Sequence, residues 1–150
     1  MGEKKIERIL CAIDFAENSK EIVDYAKTFQ KAFNCEIHVI YVAPTLSQYI
    51  GFQISPSSIE DFVGEIIKGA QETMDKFIAE NFPENHKVKG EVLTGYAAEE
   101  IINYAKNNQI DLIIMGTHGR TGIDKILFGS VAEKVVKSSH IPVLTIRPLT

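Results

Sequence analysis

Nearly continuous apolar runs alternate with segments of helical period along the whole chain. Three of the runs, Ile9 to Ile13, Ile37 to Val42 and Leu112 to Met115, contain hardly any polar side chain. Strands have this composition when helices cover both faces of their sheet, because neither face meets water. The order of strand then helix, four times over and closed by a fifth strand at Pro142 to Arg147, predicts a three-layer α/β fold. Its sheet would be open, parallel and five-stranded, Rossmann-like or flavodoxin-like, with helices on both faces.

Four amphipathic helices are predicted between the strands, from apolar residues three or four positions apart. The first covers Ser19 to Phe33, with Asn18 or Ser19 as its cap, and the second starts near Ser57 or Ser58 and ends before Pro83. Lys87 to Thr94 alternates polar and apolar residues and so fits an outer, half-exposed strand. The helical stripes consist of Ile22, Tyr25, Ala26, Phe29 and Ala32; Ile59, Phe62, Val63, Ile66, Ile67, Ala70, Met74, Phe77 and Ile78; Ala98, Ile101, Ile102 and Ala105; and Ala132, Val135 and Val136.

Length and charge narrow the class of protein. A chain of 150 residues can bury one hydrophobic core but hardly two, so we expect a single domain over residues 1–150. The formal net charge of −4 and the scattered basic residues argue against nucleic acid or an anionic membrane as the main partner. Asp14 interrupts the first apolar run, and no run approaches the ~18 apolar residues that cross a bilayer. We therefore expect a cytoplasmic protein.

The cysteines and histidines give no sign of a disulfide or of a metal site. Cys11 and Cys35 fall at opposite ends of neighbouring strands, ~15 Å apart at ~3.3 Å per residue, so we expect two buried free thiols. Three histidines, His38, His86 and His140, are spread through the chain with no carboxylate or cysteine at ligand spacing, which argues against a metal site built by the protein. His118 lies in the loop after the fourth strand, where its ring could approach a phosphate or point outward.

Glycines cluster after the fourth strand, at the edge where open parallel sheets bind their ligands. Gly116 and Gly119 follow that strand, and Gly129-Ser130 opens the next helix nine intervening residues later. Without a β-carbon, backbone N–H groups can approach phosphate oxygens, and the first amides of a helix, here those of Ser130 and Val131, favour an anion. The two stretches therefore predict a divided phosphate cradle. The irregular stretch from Pro44 to Pro56 is predicted to be a mobile flap over the bound ligand.

Each part of this pattern also has a purely structural interpretation. Gly116 and Gly119 fit an ordinary turn, and Ser130-Val131-Ala132-Glu133 fits a capping box that satisfies the helix end by itself. Asp14 fits a turn or a helix cap. Arg120 and Lys125 could screen phosphate charge or lie in a solvated loop. These alternatives stay open at the level of the sequence.

The pattern G-x2-G-x9-G-[ST] resembles the signature of the ATP-binding members of the universal stress protein family, and Gly116, Gly119, Gly129 and Ser130 match every position. The similarity extends over the whole chain, including the Asp14 end of the first strand and the helix that opens at Ala97-Ala98-Glu99. The resemblance implies the strand order 3-2-1-4-5, with ATP across strands one, two and four. Mg²⁺ or Mn²⁺ would be held by the phosphates.

The resemblance also implies which residues bind the nucleotide and how subunits pair. Ala12, Ile13 and Asp14 would border the adenosine, with main-chain groups of Val42 at adenine, Met115 and Gly116 at the ribose, and Gly119, Gly129, Ser130 and Val131 at the phosphates. Thr117, His118 and Arg120 complete the predicted set of binding residues. The fifth strand would pair antiparallel with its copy in a two-fold homodimer, although a monomer with a short edge strand is the alternative.

Binding rather than catalysis is expected, because no residue stands as an evident base or nucleophile. The chain has no G-x-x-x-x-G-K-[ST] loop, and Asp14-Phe15-Ala16-Glu17 stands where a dinucleotide or flavin site needs its phosphate loop. Two alternatives stay open. One is a slow ATPase with Asp14 and His118 as weak catalytic candidates, and the other is a dimeric interaction module that binds no nucleotide.

Overall fold

The structure, a computed structural model, describes residues 2–16, 18–43, 45, 56–117 and 129–147, with residues 56–59 described by their backbone alone. Strands and helices alternate through these residues, and every predicted element is found with its ends shifted by no more than about two residues, the usual uncertainty of such boundaries. The elements are β1 (Arg8–Ala12), α1 (Ser19–Phe33), β2 (Glu36–Ala43), α2 (Pro56–Asn81), β3 (Val88–Thr94), α3 (Ala97–Asn107), β4 (Leu112–Gly116), α4 (Ser130–Ser138) and β5 (Val143–Ile146).

The five strands form one parallel sheet in the order β3-β2-β1-β4-β5, which confirms the predicted fold and strand order. The chain winds outward from β1 to β3 and then returns to place β4 on the other side of β1. Ala12, near the carboxyl end of β1, therefore has Ile40 of β2 and Met115 of β4 as its neighbours. This reversal of winding opens a crevice between the carboxyl ends of the central strands, where such sheets bind ligands.

Side chains that alternate along the strands divide the core into two layers, one on each face of the sheet. Ile9 and Cys11 pack with α1 and α2, whereas Leu10 packs with α3 and α4. These side chains are fully buried, and burial of one such leucine or isoleucine stabilises the fold by about 1.5–3 kcal/mol. The continuous apolar runs seen in the sequence are thus explained by helices on both faces.

The apolar stripes of the helices are narrower than predicted. Tyr25 is 46% exposed and Val136 is 44% exposed, while Phe62 and Ala32 also face solvent. Successive helical residues point about 100° apart, so a helix resting on a flat sheet buries a narrow arc and its flanking apolar residues stay outside. The fully buried residues of α1 and α4 are Ile22, Val23, Ala26, Ala132 and Val135, with Ser19.

The outer strand β3 is half exposed, as predicted, and its Gly90 lies directly against α2. A β-carbon at Gly90 would lie 2.7 Å from Cγ of Met74 and 2.8 Å from Cγ1 of Ile78. No such carbon could fit unless these side chains or the helix shifted, so the missing side chain allows α2 to cover the edge of the sheet closely.

Cys11 and Cys35 are buried free thiols, as predicted. Burial, with a smaller effect of Cys35, raises the pKa of Cys11 to about 12. Such a thiol stays protonated and behaves as a small apolar side chain. None of the described helices has the length and hydropathy that crossing a bilayer requires.

Candidate functional site

A cavity of about 290 Å³ lies at the carboxyl ends of β1, β2 and β4. Its lining comes from those strand ends and from the first turns of α1, α3 and α4. This is the crevice that the reversal of winding creates. Pro44, residues 46–55 and residues 118–128 lie outside the described residues, so the predicted flap stays a prediction.

The predicted binding residues that the structure describes are brought together around this one cavity. They are Ala12, Ile13, Asp14, Val42, Met115, Gly116, Thr117, Gly129, Ser130 and Val131. The predictions for His118, Gly119 and Arg120 stay predictions, because those residues lie outside the described ones. Residues as far apart in sequence as Ala12 and Val131 thus meet because three parallel strands end side by side.

The two glycine-bearing stretches meet directly. The Gly129 N–H donates to the Thr117 carbonyl at 2.6 Å, and the Thr117 N–H donates to the carbonyl of Ile146 at 2.9 Å. A β-carbon on Gly129 would lie 3.0 Å from the Thr117 oxygen, which is tighter than ordinary van der Waals contact. Gly129 is therefore needed for the close approach of these backbones, and the convergence of the two stretches is a property of the fold.

The capping box predicted for Ser130 and Glu133 is wrong. Gly129, in an extended conformation, is the N-cap of α4, and among the described residues no side-chain cap hydrogen bond occurs at this helix end. Ser130 is already the first helical residue, and the Glu133 carboxylate instead binds Lys137 at 2.7 Å, which lowers the pKa of Glu133. Because the first amides of a helix have no intrahelical acceptor, the α4 start offers donors and a favourable dipole to an anion in the cavity.

Asp14 takes part in the turn between β1 and α1 and also lines the cavity. Its Oδ1 accepts a hydrogen bond of 3.0 Å from the Ala16 N–H, so the turn interpretation is confirmed. Asn18 occupies the N-cap position of α1, as one of the two predicted candidates, but makes no side-chain cap hydrogen bond. Phe15 between them has a φ of 62°, a conformation that costs a bulky residue about 1–3 kcal/mol.

The cavity also has lining residues that were not predicted. They are Asn18, Ile22, Ile40, Tyr41, Ala97, Ile101 and Ala132. Most are apolar, and Ile22, Ala97 and Ile101 come from helices that begin at this edge of the sheet. A usable signal exists in the sequence: the first turn of every helix that follows a parallel strand lies at the ligand-binding edge, so its inward apolar residues are candidates.

A second polar cluster lies outside the lining of the cavity. Nδ1 of the buried His38 is 2.7 Å from the hydroxyl of Tyr104, and its Nε2 is 3.0 Å from Oε1 of Glu36. His38 therefore has a carboxylate neighbour that was not expected from the sequence, because residues i and i+2 of a strand lie on the same face. Burial lowers the pKa of His38 although Glu36 opposes this effect. No cluster of three metal-binding side chains occurs among the described residues.

Comparison with known proteins finds the same family from sequence and from structure. The profile of the Universal stress protein family matches residues 5–147. Universal stress protein MJ0531 of Methanocaldococcus jannaschii is 36% identical, with 97% of this chain and 85% of that protein covered. Universal stress protein MJ0577 of the same organism is 30% identical, with 94% of each chain covered. The solved structure of MJ0577 superposes with a TM-score of 0.84 over 98% of this chain and 99% of the other, at 27% identity.

Two more distant solved structures contain adenine nucleotides. One is a universal stress protein from Archaeoglobus fulgidus in complex with dAMP, at a TM-score of 0.64 and 19% identity, with 93% of this chain and 97% of that chain covered. The other is a universal stress protein in complex with cAMP, at a TM-score of 0.60 and 18% identity, with coverages of 95% and 98%. At these identities the likeness shows a shared fold.

Proposed function

Since the chain belongs to the universal stress protein family, we propose that it binds an adenine nucleotide, ATP above all, in the cavity at the carboxyl edge of its sheet. Mg²⁺ or Mn²⁺ would accompany the nucleotide, held by its phosphates. The protein would act as a homodimeric regulator in the response to stress, through ligand binding rather than turnover.

The observation that carries this proposal is the convergence of the predicted binding residues. Strand ends from β1, β2 and β4 and the start of α4 line one cavity of about 290 Å³, near the lower end of the usual range for ligand sites. The lining combines glycines at the end of β4 and at the start of α4, Gly116 and Gly129, with the carboxylate of Asp14 after the end of β1. A ligand with both a nucleoside and an anionic group accounts for this distribution.

The start of α4 suits the phosphates. Ser130 and Val131, whose amides are among the first of the helix, line the cavity, and no side-chain cap hydrogen bond occurs at this helix end among the described residues. Asp14 is the one carboxylate among the described lining residues. Mg²⁺ keeps several waters and binds phosphate oxygens, so this lining suits an ion carried by the nucleotide rather than a metal site built by the protein.

Other lining residues suit an adenine ring. Ile22, Ile40 and Ile101 give the cavity apolar surface, and the main chain at Val42, near the end of β2, offers hydrogen-bonding groups for base edges. The dAMP and cAMP complexes of distant relatives support the adenine end of this proposal, because adenine and a phosphate are common to both ligands. The preference for a triphosphate rests on the α4 start.

We also propose that the protein is not an enzyme. The described lining residues include no histidine, lysine or cysteine that could serve as a base or nucleophile, and Asp14 already accepts a hydrogen bond within its turn. Slow hydrolysis of ATP would have to depend on Asp14 or on residues 118–128. Phosphate release measured on the wild type and on an Asp14→Ala variant distinguishes a slow ATPase from a protein that only binds.

The pairing of subunits would use β5, which lies at the edge of the sheet. Its residues Val143, Leu144 and Thr145 are only partly buried. An edge of this kind can extend the sheet into a second copy of the chain by antiparallel pairing across a two-fold axis.

Nucleotide released from the purified protein gives the most direct test. The protein is denatured and any released small molecule is identified by mass spectrometry, with an adenine nucleotide as the expected result. Thermal unfolding provides the second measurement, since ligand at one hundred times its dissociation constant should stabilise the fold by about 2.7 kcal/mol. Protein free of nucleotide, with a melting temperature unchanged by ATP and Mg²⁺, would support the nucleotide-independent interaction module instead.

A further inference from the structure

Phe15 occupies an unusual conformation next to the cavity. Its φ of 62° lies in the left-handed region, which glycine adopts freely and a bulky side chain rarely does. Its ring centroid lies 4.9 Å from that of Tyr41 on β2 and 5.8 Å from that of Phe77 on α2, the second contact edge-on. A strained residue persists only where its surroundings hold it, and here contacts with two different elements do so.

The strained residue lies inside the turn that holds Asp14. The hydrogen bond from the Ala16 N–H to Asp14 Oδ1 spans Phe15, so the backbone of Phe15 sets where the carboxylate lies. Each carboxylate oxygen has two lone pairs, so Oδ2 and the second lone pair of Oδ1 remain to accept from a ligand. A glycine would form the same turn without strain, but it would leave the turn without a side chain to hold it.

We propose that Phe15 is a positioning residue of the binding site. The ring cluster of Phe15, Tyr41 and Phe77 fixes the left-handed turn, and the turn presents Asp14 to hydroxyl or amino donors of a bound nucleoside. This inference rests on the proposed function, since it concerns the same ligand. Phe15 and Phe77 lie outside the residues that line the cavity, so they act on the ligand through Asp14.

A double-mutant cycle on the full chain tests the inference, with ATP and Mg²⁺ titrated calorimetrically. Asp14→Ala and Phe15→Leu should each weaken binding about tenfold to hundredfold, the range for loss of a hydrogen bond to a charged group. The double variant should bind no more weakly than Asp14→Ala alone, because the two residues act through one contact. Phe77→Leu should also weaken binding, although Phe77 lies on α2 and outside the residues that line the cavity.

Phe29→Leu is the matched control. Phe29 stacks on Phe33 with centroids 5.8 Å apart and packs against the same core cluster, but it lies near the far end of α1. Its loss should reduce the melting temperature and leave the dissociation constant unchanged. If Phe15→Leu is too unstable to titrate, Phe15→Gly accepts the left-handed backbone without strain and tests the loss of the ring alone.

The outcomes separate the two proposals. The positioning role would be overturned if a folded Phe15 variant bound ATP with wild-type affinity. It would also be overturned if the fold-losses of affinity in the two single variants multiplied in the double variant. Nucleotide binding itself would stand in both cases. A wild-type chain that shows no heat with any adenine nucleotide would overturn the proposed function itself, and this inference with it.

Discussion

The backbone N–H of Gly129 donates a 2.6 Å hydrogen bond to the carbonyl oxygen of Thr117, and a β-carbon at Gly129 would lie only 3.0 Å from that oxygen. The end of β4 and the start of α4 are joined through this contact. Both sides of the proposed phosphate site therefore depend on one close approach between two backbones.

Replacement of Gly129 by alanine should weaken nucleotide binding. The added methyl group must push the α4 start away from Thr117 by a few tenths of an ångström, at an overpacking cost of about 1–3 kcal/mol. We expect calorimetry with ATP and Mg²⁺ to show a dissociation constant raised about tenfold. Gly64→Ala is the control, because a β-carbon at that exposed helical position meets no atom within 4 Å. Equal affinity in both variants would contradict the role given to Gly129.

Gly90→Ala should destabilise the fold without any contact to the cavity. The new β-carbon would lie 2.7 Å from Met74 Cγ and 2.8 Å from Ile78 Cγ1, and both atoms are near their helix backbone. We expect the free energy of unfolding in urea to fall by about 1–3 kcal/mol. Gly69→Ala, on the exposed side of the same helix, should instead raise it by about 1 kcal/mol. Equal stability of the wild type and Gly90→Ala would show that α2 does not rest on β3 so closely.

Most of the fold could be predicted from the sequence, because strands buried on both faces leave continuous apolar runs that alternate with helical segments. The rotation of each helix about its own axis could not be predicted. Spacing alone does not say which arc of a helix faces the sheet, and Tyr25 and Val136 are exposed for that reason. The capping box failed because Ser130 has the right sequence position but Gly129 has the N-cap conformation.

The candidate site, like the fold, could be predicted only in part from the sequence. Strand ends and glycines could be predicted, since topology alone brings the carboxyl ends of neighbouring parallel strands together. Ala97 and Ile101 could not, because their place in the lining depends on where α3 rests over the sheet. The contact of Phe15 with Phe77 joins a turn to a helix some sixty residues away, and no spacing rule predicts it.

The buried cluster around His38 predicts how stability changes with pH. Burial lowers the pKa of His38 from its usual 6.5, so the unfolded chain binds a proton more readily than the folded one. The stability contributed by the neutral ring is complete above pH 6.5 and is lost as the pH falls towards the lowered pKa. We therefore expect the free energy of unfolding to decrease with acidification in this window. Proton NMR titration of the His38 ring, beside urea unfolding, measures both quantities.

Two variants test the proton arrangement in this cluster. An ionised Glu36 can only accept, so Nε2 carries the proton. Nδ1 of the neutral ring then accepts from the hydroxyl of Tyr104, for whose proton the Glu91 carboxylate competes. Tyr104→Phe removes the donor that favours the neutral ring and should raise the pKa of His38. Glu36→Gln removes the charge that opposes burial and should lower the pKa further, while Arg8 and Lys89 also act to lower it. Shifts of the opposite sign would reverse the assignment of the ring proton.

Thr145→Pro should convert the proposed homodimer into a monomer. The carbonyls of Pro142 and Ile146 accept from β4, and since parallel strands alternate their bonding sides, the N–H of Thr145 faces the open edge. Proline deletes that donor and leaves the bonds to β4 in place, as edge strands tolerate. Sedimentation equilibrium should give the mass of one chain for this variant. Thr145→Val, which keeps the N–H, should sediment with the mass of two chains. A wild-type protein that is already monomeric would show that β5 is a short edge strand without a partner.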